Sequence, residues 1–347
     1  MGDRVTQMPR RRGPVPVRTA PVPAVRHRWG EARHYAALDL GTNNCRLLIA
    51  RPQGSGFAVI DAFSRIVRLG EGLATTGMLS EPAIERTIAA LKICAEKLRR
   101  RNVTLSRSVA TEACRQAANG TAFIERVYRE TGIVLDIITA EEEARLAVLG
   151  CHALLEPGDG PALVFDIGGG STELVLVDSN AEQPRVLDWH SAPWGVVSLT
   201  EALGGGDSRA EREVAYARML DEVSRSFAPF AERLAPPPGT RRLLGTSGTV
   251  TTLASVHLGL ECYDRSAIDG LIVPAAAMRT VSRDIAAMSA AERRAVPCVG
   301  PERADLVVAG CAILEAILDL WPAERLGIAD RGIREGILRR LMNGRIQ

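Results

Sequence analysis

A repeated hairpin pattern constrains the fold of this chain more than any other feature of its 347 residues. Residues 37–49, with the sequence ALDLGTNNCRLLI, align without a gap on residues 164–176, with the sequence VFDIGGGSTELVL. Each copy has an apolar strand, an aspartate, a tight turn that contains glycine, and a second apolar strand, which is typical of a β-hairpin. The repeat predicts two domains, each with one such hairpin, as expected at one domain per roughly 150 residues.

From residue 35 onward, apolar runs of strand length alternate with segments of helical periodicity, which predicts an α/β protein. Strands are expected near 35–40, 46–51, 57–68, 107–111, 133–139, 162–167, 173–178, 185–192 and 241–246, and helices near 80–101, 113–131, 140–155, 208–234, 248–257, 274–287, 302–320 and 332–343. A Gly/Pro/Asp turn at 156–161 separates the two sets of elements.

Composition excludes several classes of protein. Hydrophobic residues make up 46% of the chain, yet no apolar run approaches the ~20 residues of a membrane-spanning helix, so we expect a soluble protein with no membrane partner. The seven cysteines are scattered and contain no CxxC pair. Reduced thiols in a cytoplasmic protein are therefore expected.

The charge of the chain is unevenly distributed. Residues 1–33 hold eight of the 43 basic residues, all arginines, with five prolines and only two acids. This composition predicts a disordered tail, whose alternatives are a solubilising segment, polyanion capture or a targeting peptide. The rest of the chain is mildly acidic, which argues against a nucleic-acid partner.

Lysine and histidine usage excludes further chemistry. The only lysines are Lys92 and Lys97, both in one amphipathic stretch, and neither stands in a GK[ST] context. A Walker A loop, a kinase-type lysine or a pyridoxal Schiff base needs a placed lysine, so these sites are excluded. The five histidines form no HExxH motif, which argues against a histidine-ligated metal hydrolase.

The second copy of the repeat contains a glycine-rich turn, DIGGGSTE at 166–173. Glycines allow the backbone to approach a ligand closely, so successive N–H groups can converge on an anion, and Ser171 adds a hydroxyl donor. The turn does not match the GxGxxG dinucleotide motif. The alternative is a hairpin that only reverses the chain, but acids flank this turn and an aspartate recurs at residue 39.

Carboxylates beside a phosphate site would repel the substrate unless a cation lies between them. Mg²⁺ is usually held by one or two carboxylates together with water and phosphate oxygens. Asp39 and Asp166 are therefore candidate ligands of Mg²⁺, directly or through water, and Glu173 is a candidate ligand or water-orienting group. Turn capping is the alternative role for each aspartate.

Three further positions are candidates. The small-residue turn GTSGT at 245–249 lies between a strand and a helix and could hold an anion at the helix N-terminus, with an ordinary Ser/Thr cap as the alternative. Thr139 and Glu142 are spaced as a capping box. Glu143 is not needed for that cap, and spacing alone leaves its role open. Arg115 could bind phosphate or form an exposed salt bridge.

Taken together in chain order, these motifs resemble the exopolyphosphatase and guanosine pentaphosphate phosphatase (Ppx/GppA) family. The motifs that carry the resemblance are DLGTNN at 39–44, TEACRQA at 111–117, EEEAR at 141–145, DIGGGSTE at 166–173, GTSGT at 245–249 and REG at 334–336. The resemblance covers about residues 34–343. The chain has no histidine after His257, so it is similar to the short two-domain members, without a C-terminal His-Asp domain.

The resemblance implies a duplicated ribonuclease-H-like fold of the actin/Hsp70/sugar-kinase superfamily, with two lobes and a cleft between them. It implies an N-terminal lobe at 34–141, a C-terminal lobe at 142–330, and a C-terminal helix within 331–347 that packs back on the first lobe. Residues 1–33 remain outside both lobes as the arginine- and proline-rich tail.

The resemblance also implies roles for single residues. Glu143 matches the catalytic base that activates water, Asp166 and Glu173 match the acids that position metal and water, Asp39 matches the metal acid of the first lobe, and Arg115 matches an arginine facing the phosphate path. The residues expected to contact phosphate are Gly41, Thr42, Asn43, Asn44, Arg115, Gly168, Gly169, Gly170, Ser171, Gly245, Thr246, Ser247 and Gly248.

The activity implied by the resemblance is Mg²⁺-dependent release of orthophosphate from the ends of inorganic polyphosphate. Hydrolysis of guanosine pentaphosphate to the tetraphosphate is the alternative, because both substrates present a terminal phosphoanhydride. An ATP-dependent kinase of the same superfamily and a non-catalytic binder of polyphosphate or alarmone remain as other classes. A homodimer is compatible with the resemblance.

Overall fold

A computed structural model describes residues 33–178, 184–206, 208–234 and 241–343 of the chain. Apart from Arg33, the tail that we predict to be disordered lies outside these ranges. From residue 33 onward the chain forms one compact unit. None of the helices in the described ranges is long and apolar enough to cross a membrane. All seven cysteines are unpaired.

The first sheet is built from the N-terminal part of the chain. Its strands lie in the order β3-β2-β1-β4-β5; β1 to β3 form an antiparallel meander, and β4 and β5 continue parallel to β1. The elements are β1 (His34–Leu40), β2 (Asn44–Gln53), β3 (Gly56–Ile66), α1 (Leu73–Thr76), α2 (Glu81–Arg100), β4 (Val103–Ala110), α3 (Glu112–Gln116), α4 (Gly120–Thr131) and β5 (Asp136–Ile137).

The second sheet follows helix α5 (Ala140–Cys151) and a short 3-10 turn (His152–Leu154). Its strands lie in the order β10-β11-β9-β6-β7-β8. The elements are β6 (Pro161–Ile167), β7 (Thr172–Asp178), β8 (Arg185–Ala192), α6 (Val196–Leu203), α7 (Arg209–Ala231), β9 (Arg242–Thr246), α8 (Gly248–His257), α9 (Arg265–Ile268), β10 (Ile272–Pro274), α10 (Ala275–Ala287), α11 (Ala290–Ala295), α12 (Gly300–Arg303), α13 (Val307–Leu320), β11 (Arg325–Ala329) and α14 (Ile333–Met342).

The two sheets share one topology. In each, an antiparallel meander of three strands is extended on the side of its first strand by two strands parallel to it, β4 and β5 in one sheet and β9 and β11 in the other. This strand order, 3-2-1-4-5, is that of the ribonuclease-H-like fold, and it occurs twice. The expected duplicated α/β fold and both hairpins of the repeat are confirmed. The lobe boundary at 141/142 stays a prediction.

Each sheet has its own apolar core, because both faces of the central strands are covered by helices. In the second sheet, α13 is buried along almost its whole length and packs with β6, α7 and α10. In the first sheet, α2 and α4 cover one face. The other face of the first sheet is covered by α14, which contacts β1, β2 and β4 and also packs along α5.

Two predicted helices are broken by tertiary hydrogen bonds. The helix expected at 113–131 is α3 and α4, because the Asn119 side chain binds the backbone N–H and carbonyl of Leu79 instead of continuing a helix. The helix expected at 302–320 is α12 and α13; between them, the carbonyl of Ala304 accepts a hydrogen bond from the Arg293 Nε at 2.8 Å. Strands β10 and β11 and helices α1, α6, α9 and α11 were not predicted.

Candidate functional site

The two repeated hairpins form the same turn. In the first, the Gly41 N–H donates to the Asn44 carbonyl at 2.9 Å; in the second, the Gly168 N–H donates to the Ser171 carbonyl at 2.9 Å. The aspartate that ends the first strand of each hairpin therefore has an equivalent position in both sheets. The repeat in the sequence thus corresponds to two hairpin turns of the same structure at the site.

The two turns are in contact with each other. A Cβ atom on Gly169 would lie 2.9 Å from the Cβ of Thr42, and one on Gly170 would lie 2.6 Å from the Thr42 Oγ1. Since Cβ atoms do not approach other heavy atoms so closely, both positions require glycine for steric reasons. The absence of side chains there lets the two sheets meet at the turns.

A cavity of about 130 Å³ that opens to solvent lies where the turns meet. Predicted site residues make up most of its lining. They are Asp39, Gly41, Thr42, Asn43, Asn44, Glu143, Asp166, Gly168, Gly169, Gly170, Ser171, Glu173, Ser247 and Gly248. Residues far apart in the sequence are thus brought to one place by the fold.

Five carboxylates line this cavity. Burial raises the pKa of Asp39, Glu143, Asp166 and Glu173. For Asp166 the rise is to about 6, with the Asp39 carboxylate adding to the effect of burial. Burial also raises the pKa of Glu173, assisted by Asp166, and of Asp39, where the Arg46 charge acts in the opposite direction. The pKa of Glu143 is well above its usual range because of burial and, second, the Glu173 charge. The site concentrates negative charge that an added cation would offset.

Glu143 lies in the first turn of α5. The predicted capping box forms only in part: the Glu142 N–H donates to Thr139 Oγ1 at 3.2 Å, while the Glu142 side chain binds Arg107 and Arg340 instead. The side chain of Glu143 takes no part in the cap. It is buried, with 7% of the residue exposed, and it lines the cavity.

Arg115 is the neighbour that holds Glu143. Its Nη1 donates to Glu143 Oε2 at 3.1 Å and to the Ile138 carbonyl at 2.8 Å, while its Nη2 donates to the Glu112 carboxylate. Glu112 lines the cavity, but Arg115 is not among the lining residues. Arg115 therefore forms a salt bridge that is partly buried rather than exposed, and its contact with phosphate stays a prediction.

The third predicted turn lies only partly at the cavity. Ser247 and Gly248 line it, and Ser247 has a φ of 107°, with its hydroxyl oxygen buried and without a hydrogen-bond partner. Gly245 and Thr246 do not line the cavity. A Cβ on Gly245 would overlap the Phe165 ring, and Thr246 Oγ1 donates to the Arg331 carbonyl at 2.7 Å. These two residues support the strand rather than face a ligand.

Two arginines in the lining were missed at the sequence level. Arg46 lies on β2, and its Nη2 is 3.5 Å from the position that a Cβ on Gly248 would take. Arg303 donates from Nη1 to Thr252 Oγ1 at 2.6 Å. The alignment of the repeat contained a signal for Arg46, because it occupies the position that Glu173 has in the second hairpin.

The residues of the cavity fit a magnesium ion. Asp39 Oδ1 is buried and has no hydrogen-bond partner, so it is an oxygen ligand available to a cation. In the part of the chain that the structure describes, no group of three or more His, Cys, Asp or Glu side chains is arranged to enclose a metal. Mg²⁺ does not need such a cage, since it keeps waters and binds substrate phosphates beside one or two carboxylates.

Comparisons with known proteins agree with this geometry. The Ppx/GppA phosphatase family matches residues 48–344. The chain belongs to this family. Membership of a Ppx/GppA phosphatase family makes it an enzyme of the hydrolase class.

Individual members of the Ppx/GppA family are similar over nearly the full chain. Exopolyphosphatase 2 of Mycobacterium tuberculosis is 34% identical over 316 residues, which cover 87% of this chain and 96% of that protein. The crystal structure of the Aquifex aeolicus family member has a TM-score of 0.75 at 30% identity, covering 91% of this chain and 100% of that one. An exopolyphosphatase from Cytophaga hutchinsonii has a TM-score of 0.80 at 24% identity, covering 90% and 98%, and shows the shared fold.

Proposed function

We propose that this enzyme hydrolyses the terminal phosphoanhydride of inorganic polyphosphate and releases orthophosphate, with Mg²⁺ as cofactor. The observation that carries the proposal is one cavity that combines two backbone turns suited to phosphate oxygens with a buried glutamate and two aspartates. The similarity to exopolyphosphatase 2 of Mycobacterium tuberculosis supports the substrate class.

The two turns would bind the terminal phosphate. Backbone N–H groups of 169–170 and 42–44, together with the Ser171 hydroxyl, can donate to its oxygens as the glycine-rich geometry allows. Arg46 and Arg303 supply positive charge along the same cavity. These groups would hold the phosphorus in line between an attacking water and the bridging oxygen that leaves.

Glu143 would act as the general base. A water oxygen attacks the terminal phosphorus, its proton passes to the Glu143 carboxylate, and the bond to the bridging oxygen breaks, leaving the shortened chain and orthophosphate. Arg115 fixes Glu143 Oε2 at 3.1 Å, which leaves Oε1 to receive the proton. Glu173, held by the Ser191 hydroxyl at 2.9 Å, would orient the water or a ligand of the cation.

Asp39 and Asp166, with Glu173, are the residues that would hold Mg²⁺. The ion, when bound, offsets the charge of the phosphate oxygens and of these carboxylates. The unpartnered Asp39 Oδ1 supports this assignment.

Orthophosphate release by the purified enzyme tests the proposal. Tripolyphosphate, long-chain polyphosphate and guanosine pentaphosphate are compared at equal concentrations of terminal phosphate, with Mg²⁺ and with EDTA. The proposal predicts the highest kcat/KM on polyphosphate and no release in EDTA. A preference for the nucleotide would assign the enzyme to the alternative reaction, full activity in EDTA would refute the Mg²⁺ requirement, and no release from any substrate would refute the proposal.

A further inference from the structure

The segment 67–72, here called the rim segment, connects β3 to α1 and adjoins the first turn of the cavity. It is fastened to the first phosphate turn by backbone hydrogen bonds: Val67 and Arg68 donate to the Asn43 carbonyl at 2.9 and 3.1 Å, and Gly70 donates to the Thr42 carbonyl at 2.9 Å. The position of the rim segment is therefore tied to the turn that would bind the terminal phosphate.

Arg68 crosses from the first sheet to the second at this rim. Its φ of 49° is in the left-handed region, which a non-glycine residue seldom adopts. Its Nη2 donates to the carbonyl of Glu302 at 3.5 Å, and the residue after Glu302 is Arg303, a lining residue. The guanidinium of Arg68 is not part of the cavity lining, but it contacts α12 at the residue before Arg303, which does line the cavity.

Two guanidinium groups lie along α8, starting from its first residue. Arg46 is placed next to Gly248, and Arg303 binds Thr252, four residues further along the helix and hence about 6 Å along its axis. Arg68 is the third, because its guanidinium binds the carbonyl of Glu302, the residue before Arg303. Among the described parts of the chain, none of the three has a carboxylate within ion-pair distance. A row of unneutralised cations matches a linear polyanion that carries charge on every unit.

We propose that Arg68 binds a phosphate of the substrate chain beyond those held inside the cavity, so that the rim segment forms an outer subsite for extended polyphosphate. This inference rests on the proposed function. It makes Arg68 a residue that discriminates long chains from short ones, because only phosphates beyond those held in the cavity would contact it.

The acidic side chains near the rim segment differ in whether they have a partner. Glu71 is engaged by Arg86 at 2.6 Å, and Glu201 accepts the Gly72 N–H at 2.8 Å. Glu302 binds Arg68 through its backbone carbonyl, and its exposed side chain has no such partner in the described chain. The negative charge of this side chain near the rim should weaken the binding of a long polyanion. Removal of its charge is therefore expected to have the opposite effect to removal of the Arg68 charge.

The test compares orthophosphate release from tripolyphosphate and from long-chain polyphosphate in single variants. Arg68→Gln should lower kcat/KM on the long chain about three- to tenfold through KM, with less than a twofold change on tripolyphosphate. Arg68→Lys should restore most of the loss, and Glu302→Gln should lower the long-chain KM. Arg99→Gln removes an exposed arginine on α2 and serves as the matched control, with no change on either substrate.

A second measurement separates failure of this inference from failure of the proposed function. Equilibrium binding of long-chain polyphosphate is measured in a Glu143→Gln background with and without Arg68→Gln. Weaker binding in the double variant supports the inference even if the wild type releases no orthophosphate. Equal losses on short and long chains, or no change in KM and binding, would overturn it, because Arg68 would then only support the turn or have no contact with substrate.

Discussion

Replacement of Asp166 by asparagine is expected to stabilise the fold while abolishing activity. The carboxylate is at the end of β6 among three other buried acids, and burial and Asp39 raise its pKa from 3.8 to about 6. The folded protein therefore binds this proton more tightly than the unfolded chain does. As the pH rises through this interval, the wild type must ionise a buried acid and loses stability.

The size of the effect follows from the shift in pKa. One unit corresponds to 1.36 kcal/mol, so the ionised Asp166 lowers the free energy of unfolding by at most about 3 kcal/mol above pH 6. Asparagine has no charge to bury. The variant should thus be more stable by about 1–3 kcal/mol at pH 8 and equal to the wild type near pH 4. Mg²⁺ should reduce the difference in the free energy of unfolding between the two proteins, because it would bind only the wild-type site well.

Urea unfolding at pH 4 and pH 8, in EDTA and without phosphate, measures this difference. Asp284→Asn, an exposed aspartate on α10, is the matched control and should change stability by less than about 0.5 kcal/mol at either pH. An Asp166→Asn variant that is no more stable than the wild type at pH 8 would refute the account of a site strained by its own carboxylates.

Two further predictions concern the framework around the site. A Cβ on Gly336 of α14 would overlap the Leu146 carbonyl of α5, so Gly336→Ala should lower the free energy of unfolding by more than about 2 kcal/mol, as urea unfolding would show; an unchanged midpoint would contradict this close packing. Asp61 binds Lys97 and Arg101 at 2.7 and 2.9 Å, and Lys97 chiefly holds the pKa of Asp61 below its usual range. Asp61→Asn should lower the free energy of unfolding by about 1 kcal/mol at pH 7, and this loss should disappear as the pH falls below about 4. A loss of stability that does not change with pH would show that the ion pairs are not its cause.

The sequence predicted those site residues that belong to a local, repeated pattern of secondary structure. The hairpin repeat placed Asp39 and Asp166 at equivalent strand ends, because a strand–turn–strand pattern is local and its register is fixed by the turn. Glu143 could be separated from the helix cap because the cap needs only Thr139. These features depend on neighbours within a few residues.

The parts that the sequence did not predict depend on contacts between distant segments. Arg303 lines the cavity from α12, which is separate from α13 because the helix predicted at 302–320 is interrupted where Arg293 binds the Ala304 carbonyl. Gly245 was expected in a phosphate turn. Its lack of a side chain instead leaves room for the Phe165 ring of the neighbouring strand. Arg115 was expected near phosphate; it binds Glu112 of its own helix, and its bonds to Glu143 and to the Ile138 carbonyl connect segments that are distant in the sequence.

The central claim, that a buried glutamate activates water to hydrolyse the end of a polyphosphate chain, is tested most directly by replacing Glu143 with glutamine. The initial rate of orthophosphate release from long-chain polyphosphate is measured for both proteins with saturating Mg²⁺, and thermal unfolding confirms that both are folded. The account predicts a rate lowered by roughly 10²–10⁴ with the fold intact. A folded Glu143→Gln variant with the full wild-type rate would contradict it.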